Sequence, residues 1–134
     1  MWEFKFYSRG GQGAVTAAKL LVNAAIMEGK FAQAIPSYGQ ERKGAPVYTY
    51  ARVNNESIEL KSYVYSPNCI VVFDMGLEEL GINIYEGIQP GCIMVANASN
   101  DLKIDDKNIV KAVTIDAEGL TNKINEEIPF NSAM

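Results

Sequence analysis

Residues 2–28 read WEFKFYSRGGQGAVTAAKLLVNAAIME, and this stretch decides the fold. Its first part, Trp2–Tyr7, alternates apolar and polar side chains, which predicts a β-strand. A glycine-rich turn follows, and Ala14–Glu28 then carries apolar residues at the spacing of one helix face, with Gly29 as a natural stop. A strand, a glycine turn and a helix in this order predict the opening of an α/β domain.

The rest of the chain continues the alternation of strands and helices. We expect strands at Phe31–Ile35, Val47–Val53, Ser57–Leu60, Cys69–Phe73, Gly91–Ala96 and Ile109–Ile115, and helices at Leu77–Tyr85 and Glu118–Glu127. The Asn54-Asn55 pair predicts a hairpin turn, which adds antiparallel pairing. The continuous apolar run that begins at Cys69 is typical of a strand buried on both faces. The prediction is a three-layer α/β/α domain with a mixed, mostly parallel sheet.

The composition excludes several classes of protein. A chain of 134 residues fits one domain, and it has no histidine, the commonest general acid–base and metal ligand at neutral pH. Two cysteines are too few for an iron–sulfur cluster or a structural zinc site. A self-sufficient histidine-dependent hydrolase, a zinc enzyme and a cluster protein are therefore excluded. We expect neither catalytic residues nor metal ligands in this chain.

The charge and the apolar pattern limit the partners and the location. A formal net charge of -4 argues against a nucleic-acid platform, which normally shows a basic face. No apolar run reaches the roughly 18 residues that cross a bilayer, and the first residues lack a signal peptide. Cys69 and Cys92 lie in apolar runs, as buried reduced thiols do in the cytoplasm. We expect a cytoplasmic protein that contacts neither nucleic acid nor membrane.

The glycine turn after the first strand is a candidate anion site. Free backbone N–H groups and the helix dipole both face such a turn. Gly11 and Gly13 match two glycines of the dinucleotide-binding pattern, but Thr16 stands at the third, and no acidic residue ends the second strand. Two interpretations stay open: the turn binds a phosphate, or it only packs tightly against a neighbour. The candidate contacts are Arg9, Gly10, Gly11, Gln12, Gly13 and Thr16.

A second candidate is the charged loop SYGQERKGAP at residues 37–46. If the second strand runs parallel to the first, this loop leaves the sheet at the edge where the glycine turn lies. Arg42 and Lys43 could then hold phosphates or carboxylates beside the helix N-terminus. The alternative is a solvated or interface loop in which Glu41 pairs with Arg42. Asp74 follows a buried strand at the same edge, where a carboxylate is more often a cap or turn residue.

Taken together, residues 9–21 (RGGQGAVTAAKLL) and 29–47 (GKFAQAIPSYGQERKGAPV) closely resemble the gamma subunit of 2-oxoacid:ferredoxin oxidoreductases. The same domain occurs fused within single-chain pyruvate:ferredoxin oxidoreductases. The resemblance is close from Phe4 to Asp74 and looser beyond. The amino-acid sequence of the two matching segments favours the pyruvate/2-ketoisovalerate branch. The resemblance implies one gamma domain over residues 1–134 that lacks a C-terminal segment of the family.

The chain departs from the family pattern at three positions. Ser8 stands where the family usually has another glycine, so the backbone there is less free. Gln40 and Lys43 stand where proline and arginine are common, which changes the stiffness of the loop and its capacity for bidentate anion binding.

The resemblance implies a function in which this chain is catalytically incomplete. Enzymes of this family oxidatively decarboxylate a 2-oxoacid, transfer the acyl group to coenzyme A and pass electrons to ferredoxin. Thiamine diphosphate lies between the alpha and beta subunits, and iron–sulfur clusters lie in beta and a ferredoxin-like delta component. The gamma subunit would supply structure and contact coenzyme A phosphates through Gly11, Gln12, Gly13 or Arg42. The alternatives are a stand-alone nucleotide- or phosphometabolite-binding module and a purely architectural subunit.

Overall fold

The structure is a computed structural model that describes residues 1–37, 44–98, 102, 104, 106–117 and 120. Its regular elements are β1 (Trp2–Arg9), α1 (Ala14–Met27), β2 (Phe31–Pro36), β3 (Pro46–Asn54), β4 (Cys69–Val72), a 3₁₀ helix (Met75–Leu80), β5 (Cys92–Asn97) and β6 (Ile109–Ile115). The six strands that it describes and helix α1 begin and end within two residues of the predicted bounds. The α/β class is confirmed.

The strands form one mixed sheet of order β2-β3-β1-β4-β5-β6. The strands β1, β4, β5 and β6 pair in parallel, whereas β3 runs antiparallel to both β1 and β2. Because β1 and β2 both oppose β3, they run in the same direction. Their carboxyl ends therefore meet at one edge of the sheet, as the sequence required for the charged loop and the glycine turn to be neighbours.

The predicted hairpin from β3 into Ser57–Leu60 is wrong. Residues 57–60 form no strand, and β3 finds its antiparallel partners in β1 and β2 instead. Pairing with β1 over residues 46–53 and with β2 over residues 49–54 offers β3 far more backbone hydrogen bonds than a four-residue return strand. The 57–60 segment is held by a hydrogen bond from Gln33 Nε2 to the Leu60 carbonyl oxygen, at 2.8 Å.

The predicted helix Leu77–Tyr85 is replaced by the shorter 3₁₀ helix Met75–Leu80. It ends at Gly81, whose backbone is left-handed, and an irregular segment follows before β5. The predicted helix Glu118–Glu127 lies, apart from Leu120, outside the described residues. Within the part of the chain that the structure describes, no helix is long and apolar enough to cross a bilayer.

Two cores lie on opposite faces of the sheet. On one face, α1 packs through Ala14 and Ala18 against Phe6, Ala51 and Phe73. The other face is covered by the 3₁₀ helix and the segment that follows it. Its buried residues are Tyr7, Ile70, Val72, Leu77, Ile84, Ile88, Cys92, Met94 and Ala96. The small alanines of α1 let the helix approach the sheet closely, which fixes the direction in which its N-terminus meets the end of β1.

Candidate functional site

The glycine turn joins β1 to α1 in a conformation that requires glycine. Gly11 has a φ of 89° and Gly13, immediately before α1, has a φ of 82°; side chains rarely adopt this left-handed region. No side chain caps α1, and its first turn contains no acidic residue. The positive end of the helix dipole therefore faces the turn, with no acidic residue of the helix's own first turn to neutralise it.

A cavity of about 260 Å³ lies against this turn. Its lining combines the end of β1, the turn, the first residues of α1 and the start of β3: Ser8, Arg9, Gly10, Gly11, Gly13, Ala14, Val15 and Val47. Of the predicted contacts, the structure therefore brings Arg9 and the three glycines together. Gln12 and Thr16 are not in this lining, and Thr16 is exposed on the surface of α1.

Arg9 is oriented by a network that reaches across the sheet to Asp74. Its Nε donates to Asp74 Oδ2 at 2.7 Å, and Gln12 Nε2 donates to the same oxygen at 3.2 Å. The backbone N–H of Arg9 in turn donates to Gln12 Oε1 at 2.7 Å. Gln12 thus links the backbone of the turn to Asp74. The Arg9 side chain remains 27% exposed. The network presents a guanidinium beside the open end of α1.

Asp74 also caps the 3₁₀ helix, as its place after a buried strand predicted. Its Oδ1 accepts from the Gly76 N–H at 2.8 Å. A side chain at residue 76 would displace this network, because its Cβ would lie 2.9 Å from Asp74 Oδ1 and 3.0 Å from Arg9 Nη2. The sequence identified the cap but not the ion pair to Arg9, since a pairing across 65 residues has no local signal.

The return of the charged loop closes against the glycine turn. The Gly10 N–H donates to the Ala45 carbonyl oxygen at 2.8 Å, and Arg9 Nη1 donates to the Gly44 carbonyl oxygen at 3.4 Å. The predicted proximity of loop and turn is therefore seen at the loop's C-terminal end. Arg42 and Lys43 themselves lie outside the described residues, and their predicted phosphate contacts stay a prediction.

The cysteines are free and buried on different sides of the sheet. Cys69 lies beside Leu21 of α1, whereas Cys92 belongs to the core on the other face. Burial raises the pKa of Cys69 to about 12 and raises that of Cys92 as well. Protonated thiols on opposite faces do not provide the four thiolates of an iron–sulfur cluster. Among the described residues, no group of three or more acidic or cysteine side chains is arranged to hold a metal.

One cluster was missed by the sequence analysis. On the sheet face away from α1, Glu3, Lys5 and Tyr7 of β1 lie opposite Arg52, Tyr50 and Tyr48 of β3. The signal was present in the alternation of both strands, which places every second residue on one face. It was overlooked because the pairing of β3 with β1 was not predicted.

The fold and the turn define an α/β domain whose first strand, glycine turn and first helix line a cavity at one edge of the sheet, where the return of a second loop closes against the turn. The family model for pyruvate ferredoxin/flavodoxin oxidoreductase matches residues 3–134, and the chain belongs to this family. The resemblance noted in the sequence is thereby confirmed.

Three curated relatives illustrate the likeness. The chain is 42% identical over 120 residues to pyruvate synthase subunit PorC of Methanothermobacter thermautotrophicus, covering 90% of this chain and 64% of the relative. It is 39% identical to the PorC of Methanocaldococcus jannaschii, over 100% of this chain and 73% of the relative. It is 38% identical to the pyruvate/ketoisovalerate oxidoreductases common subunit gamma of Thermococcus kodakarensis, and the match covers 92% of this chain and 69% of that relative. The chain thus spans about two thirds of the length of these relatives.

Solved structures share the fold. The pyruvate oxidoreductase subunit PORC of Thermotoga maritima superposes with a TM-score of 0.77 and 29% identity, covering 97% of this chain and 70% of that one. The 2-oxoglutarate:ferredoxin oxidoreductase of Magnetococcus marinus gives a TM-score of 0.69 at 16% identity, covering 98% of this chain and 22% of that one. The second likeness concerns the fold alone.

Proposed function

We propose that this chain is the gamma subunit of a heteromeric 2-oxoacid:ferredoxin oxidoreductase of the pyruvate or 2-ketoisovalerate type. The observation that carries the proposal is the family match over residues 3–134, together with relatives named as PorC or common gamma subunits. In this role the chain works with alpha, beta and delta subunits, which hold thiamine diphosphate and the iron–sulfur clusters. Coenzyme A is the acyl acceptor and ferredoxin the electron acceptor.

The surface of the chain supports a role within a larger assembly. Several large apolar side chains are exposed around the C-terminal half of α1 and the start of β2: Leu20, Ile26, Met27 and Phe31. Met27 is 88% exposed, although contact with water does not stabilise an apolar methionine side chain. Burial against partner subunits accounts for such a surface. The free, buried thiols Cys69 and Cys92 are in keeping with a cytoplasmic location, which is part of the proposal.

The subunit proposal is tested by affinity purification of the tagged chain from its native cells. The eluate is assayed for coenzyme A-dependent oxidation of pyruvate and of 2-ketoisovalerate with a viologen as electron acceptor. We expect activity with one or both acids and larger chains that contain thiamine diphosphate and iron. An untagged extract taken through the same steps is the control. A chain that elutes alone and inactive would instead favour a stand-alone phosphometabolite-binding module.

Within the complex, we propose that the glycine turn contacts a phosphate of coenzyme A. The cavity beside Gly11 and Gly13 combines the N-terminus of α1, whose first turn contains no acidic residue, with the Arg9 guanidinium. A helix N-terminus contributes about 0.3–1 kcal/mol to anion binding, whereas micromolar affinity corresponds to about 8 kcal/mol. Arg9 and groups outside the turn must therefore supply most of the binding energy. Arg42 and Lys43, which immediately precede Gly44 in the sequence, belong to the same proposal.

Two glycine variants separate binding from stability. Gly11 and Gly29 both have left-handed backbones, with φ of 89° and 84°, and an added Cβ meets nothing within 4 Å at either position. Gly11→Ala and Gly29→Ala should therefore cost similar stability, about 1–2 kcal/mol. Only Gly11 lines the cavity. Equilibrium binding of coenzyme A to the assembled complex should weaken in Gly11→Ala, in Arg9→Ala and in Arg42→Ala, and stay unchanged in Gly29→Ala. Equal affinity in all four variants would show that the turn only packs.

A further inference from the structure

A second polar site lies on the sheet face opposite α1, away from the glycine turn. The Lys5 side chain is half-buried, and its Nζ lies 4.8 Å from the centroid of the Tyr7 ring and 5.1 Å from that of Tyr48. The Tyr50 ring is 6.0 Å away. Ring faces attract a cation, so these three rings stabilise the ammonium form of Lys5.

The Lys5 ammonium has no oxygen acceptor within the described ranges. It forms neither an ion pair within 4.0 Å nor a hydrogen bond there, in contrast to Arg9 and Arg52, which do both. Burial lowers the pKa of Lys5, and the more distant carboxylate of Glu86 partly opposes this effect. A half-buried ammonium normally donates hydrogen bonds, because its three N–H groups lose water on burial. The missing partner is an acceptor.

The hydroxyl of Tyr7 lacks a partner as well. Tyr7 is 1% exposed, and its hydroxyl is buried without a hydrogen bond in the part of the chain described by the structure. Such an unsatisfied group destabilises a protein by roughly 1–3 kcal/mol unless something else binds it. Lys5 and Tyr7 lie on the same face of β1, two residues apart, so both donors are directed to one side of the sheet.

Lys5 and Tyr7 both line a cavity of about 280 Å³ between the tyrosine rings and the segment 81–86. Tyr48, Asn83 and Glu86 contribute the other polar side chains of its wall. The volume is slightly below the 300–1,000 Å³ that is usual for drug-sized ligands, so the occupant must be small.

We propose that this cavity binds a small monocarboxylate whose oxygens accept hydrogen bonds from the Lys5 ammonium and the Tyr7 hydroxyl. One cation and one neutral donor match one negative charge shared by two oxygens. A phosphate dianion would bring a second negative charge towards Glu86, which lines the same cavity. The site lies on the opposite sheet face from α1, and it shares no lining residue with the cavity at the glycine turn.

The test follows the Lys5 side chain in the full chain, with lysines labelled with ¹³C at Cε. Acetate and pyruvate are the probes, with phosphate and chloride at equal ionic strength as competitors. The Lys5 signal should shift saturably at millimolar acetate or pyruvate, while the signal of Lys19, exposed on α1, should not move. The Lys5 signal is assigned by its absence in Lys5→Met. If phosphate shifts it with the same affinity as acetate, or if neither carboxylate gives a saturable shift up to tens of millimolar, the proposal is wrong.

Two hydroxyl deletions sharpen the result. Tyr7→Phe should raise the melting temperature of the free protein, because it removes an unsatisfied buried group, and it should weaken carboxylate binding roughly 3- to 10-fold. Thr49 is the matched control: its hydroxyl is also buried and has no hydrogen-bond partner among the described residues, but it lies on β3 opposite Phe6, on the other sheet face. Thr49→Val should likewise raise the melting temperature and leave affinity unchanged.

Loss of the cation is the larger change. Lys5→Met keeps a side chain of similar length, and the amide signals of residues 81–86 then report binding in place of Lys5. The affinity for acetate should fall at least about tenfold. Binding that survives both Lys5→Met and Tyr7→Phe would overturn the proposal, and Tyr7→Phe alone keeps it testable if the first variant fails to fold.

Discussion

Two arginine–carboxylate pairs hold the two ends of β1, and they differ in almost every physical respect. Near the N-terminal end, Arg52 Nε donates to Glu3 Oε2 at 3.2 Å, and the Arg52 side chain is 2% exposed. At the C-terminal end, Arg9 Nε donates to Asp74 Oδ2 at 2.7 Å, with both side chains exposed by more than a quarter. The sequence alone does not distinguish these pairs.

The difference lies in what surrounds each guanidinium. Arg52 also donates to the carbonyl oxygens of Ser62 at 2.6 Å and Tyr63 at 3.1 Å, so protein groups replace the water that it has lost. Besides Asp74, the one side-chain hydrogen bond of Arg9 to a described residue is a long contact to the Gly44 carbonyl oxygen, at 3.4 Å, and Arg9 lines the cavity beside the glycine turn. A buried arginine bonded to protein groups holds the fold together. A partly solvated arginine beside a helix N-terminus is what the proposed phosphate contact requires.

The largest effect is expected for Arg52→Met. Removal of one member of a buried pair leaves the other without its partner, and here two carbonyl oxygens also lose their donor. We expect the free energy of unfolding to fall by about 3 kcal/mol or more. Arg9→Met is the matched change at the exposed end and should cost less than about 1 kcal/mol. Urea denaturation of both variants measures the contrast, and equal losses would contradict it.

Asp74→Ala should have the next largest effect. It removes the oxygen that caps the 3₁₀ helix at Gly76 and the anchor of the Arg9 network. The loss of a cap costs about 1–2 kcal/mol, and the exposed ion pair adds little. Asp74→Asn keeps a capping oxygen and should recover most of this stability in the same urea titration. If the two variants were equally destabilised, the charge rather than the cap would be the main contribution.

The sequence predicted local elements well because their signals are local. The alternation in Trp2–Tyr7 and the helical spacing of Ala14–Glu28 gave β1 and α1 to within two residues. The partner of β3 was not predictable in this way. Asn54-Asn55 resembles a hairpin turn, but the choice between Ser57–Leu60 and β1 depends on pairing across some forty residues of chain.

The candidate site was predicted in the same uneven way. The glycine turn, and its position beside the end of the charged loop, could be predicted from the order of the strands. The Arg9–Asp74 pair could not, because it joins residues 65 apart in the sequence. The cluster of Lys5 with Tyr7 and Tyr48 requires the register of β1 against β3, which the sequence does not reveal. Tertiary pairing, and not local preference, decided each of these features.

A third prediction concerns the exclusion of water from Cys69 of β4, which pairs with Phe4 near the N-terminal end of β1. Burial raises the pKa of Cys69 from 9.0 to about 12, so the folded protein keeps this proton after the unfolded chain has lost it. The resulting stabilisation is complete below pH 9 and is lost as the pH rises towards 12.

The comparison with Cys69→Ala isolates that thiol, since other titrating groups are common to both proteins. Between pH 8 and pH 10, the unfolding free energy of wild type should fall by about 1 kcal/mol relative to that of Cys69→Ala. A difference that does not change with pH would mean that water reaches the thiol at this end of the sheet.

The smallest effect on stability, and the most informative one for function, is expected from Asp74→Asn. The Arg9–Asp74 pair is partly exposed, so loss of its charge should cost only a few tenths of a kcal/mol and should vanish in concentrated salt. The same change removes a negative charge bonded to Arg9, which lines the cavity at the glycine turn. Coenzyme A should therefore bind the assembled complex several-fold more tightly, and this gain should diminish as salt is added. A variant with lower affinity would mean that Asp74 serves the ligand by positioning Arg9, and that orientation of the guanidinium matters more than its freedom from a competing carboxylate.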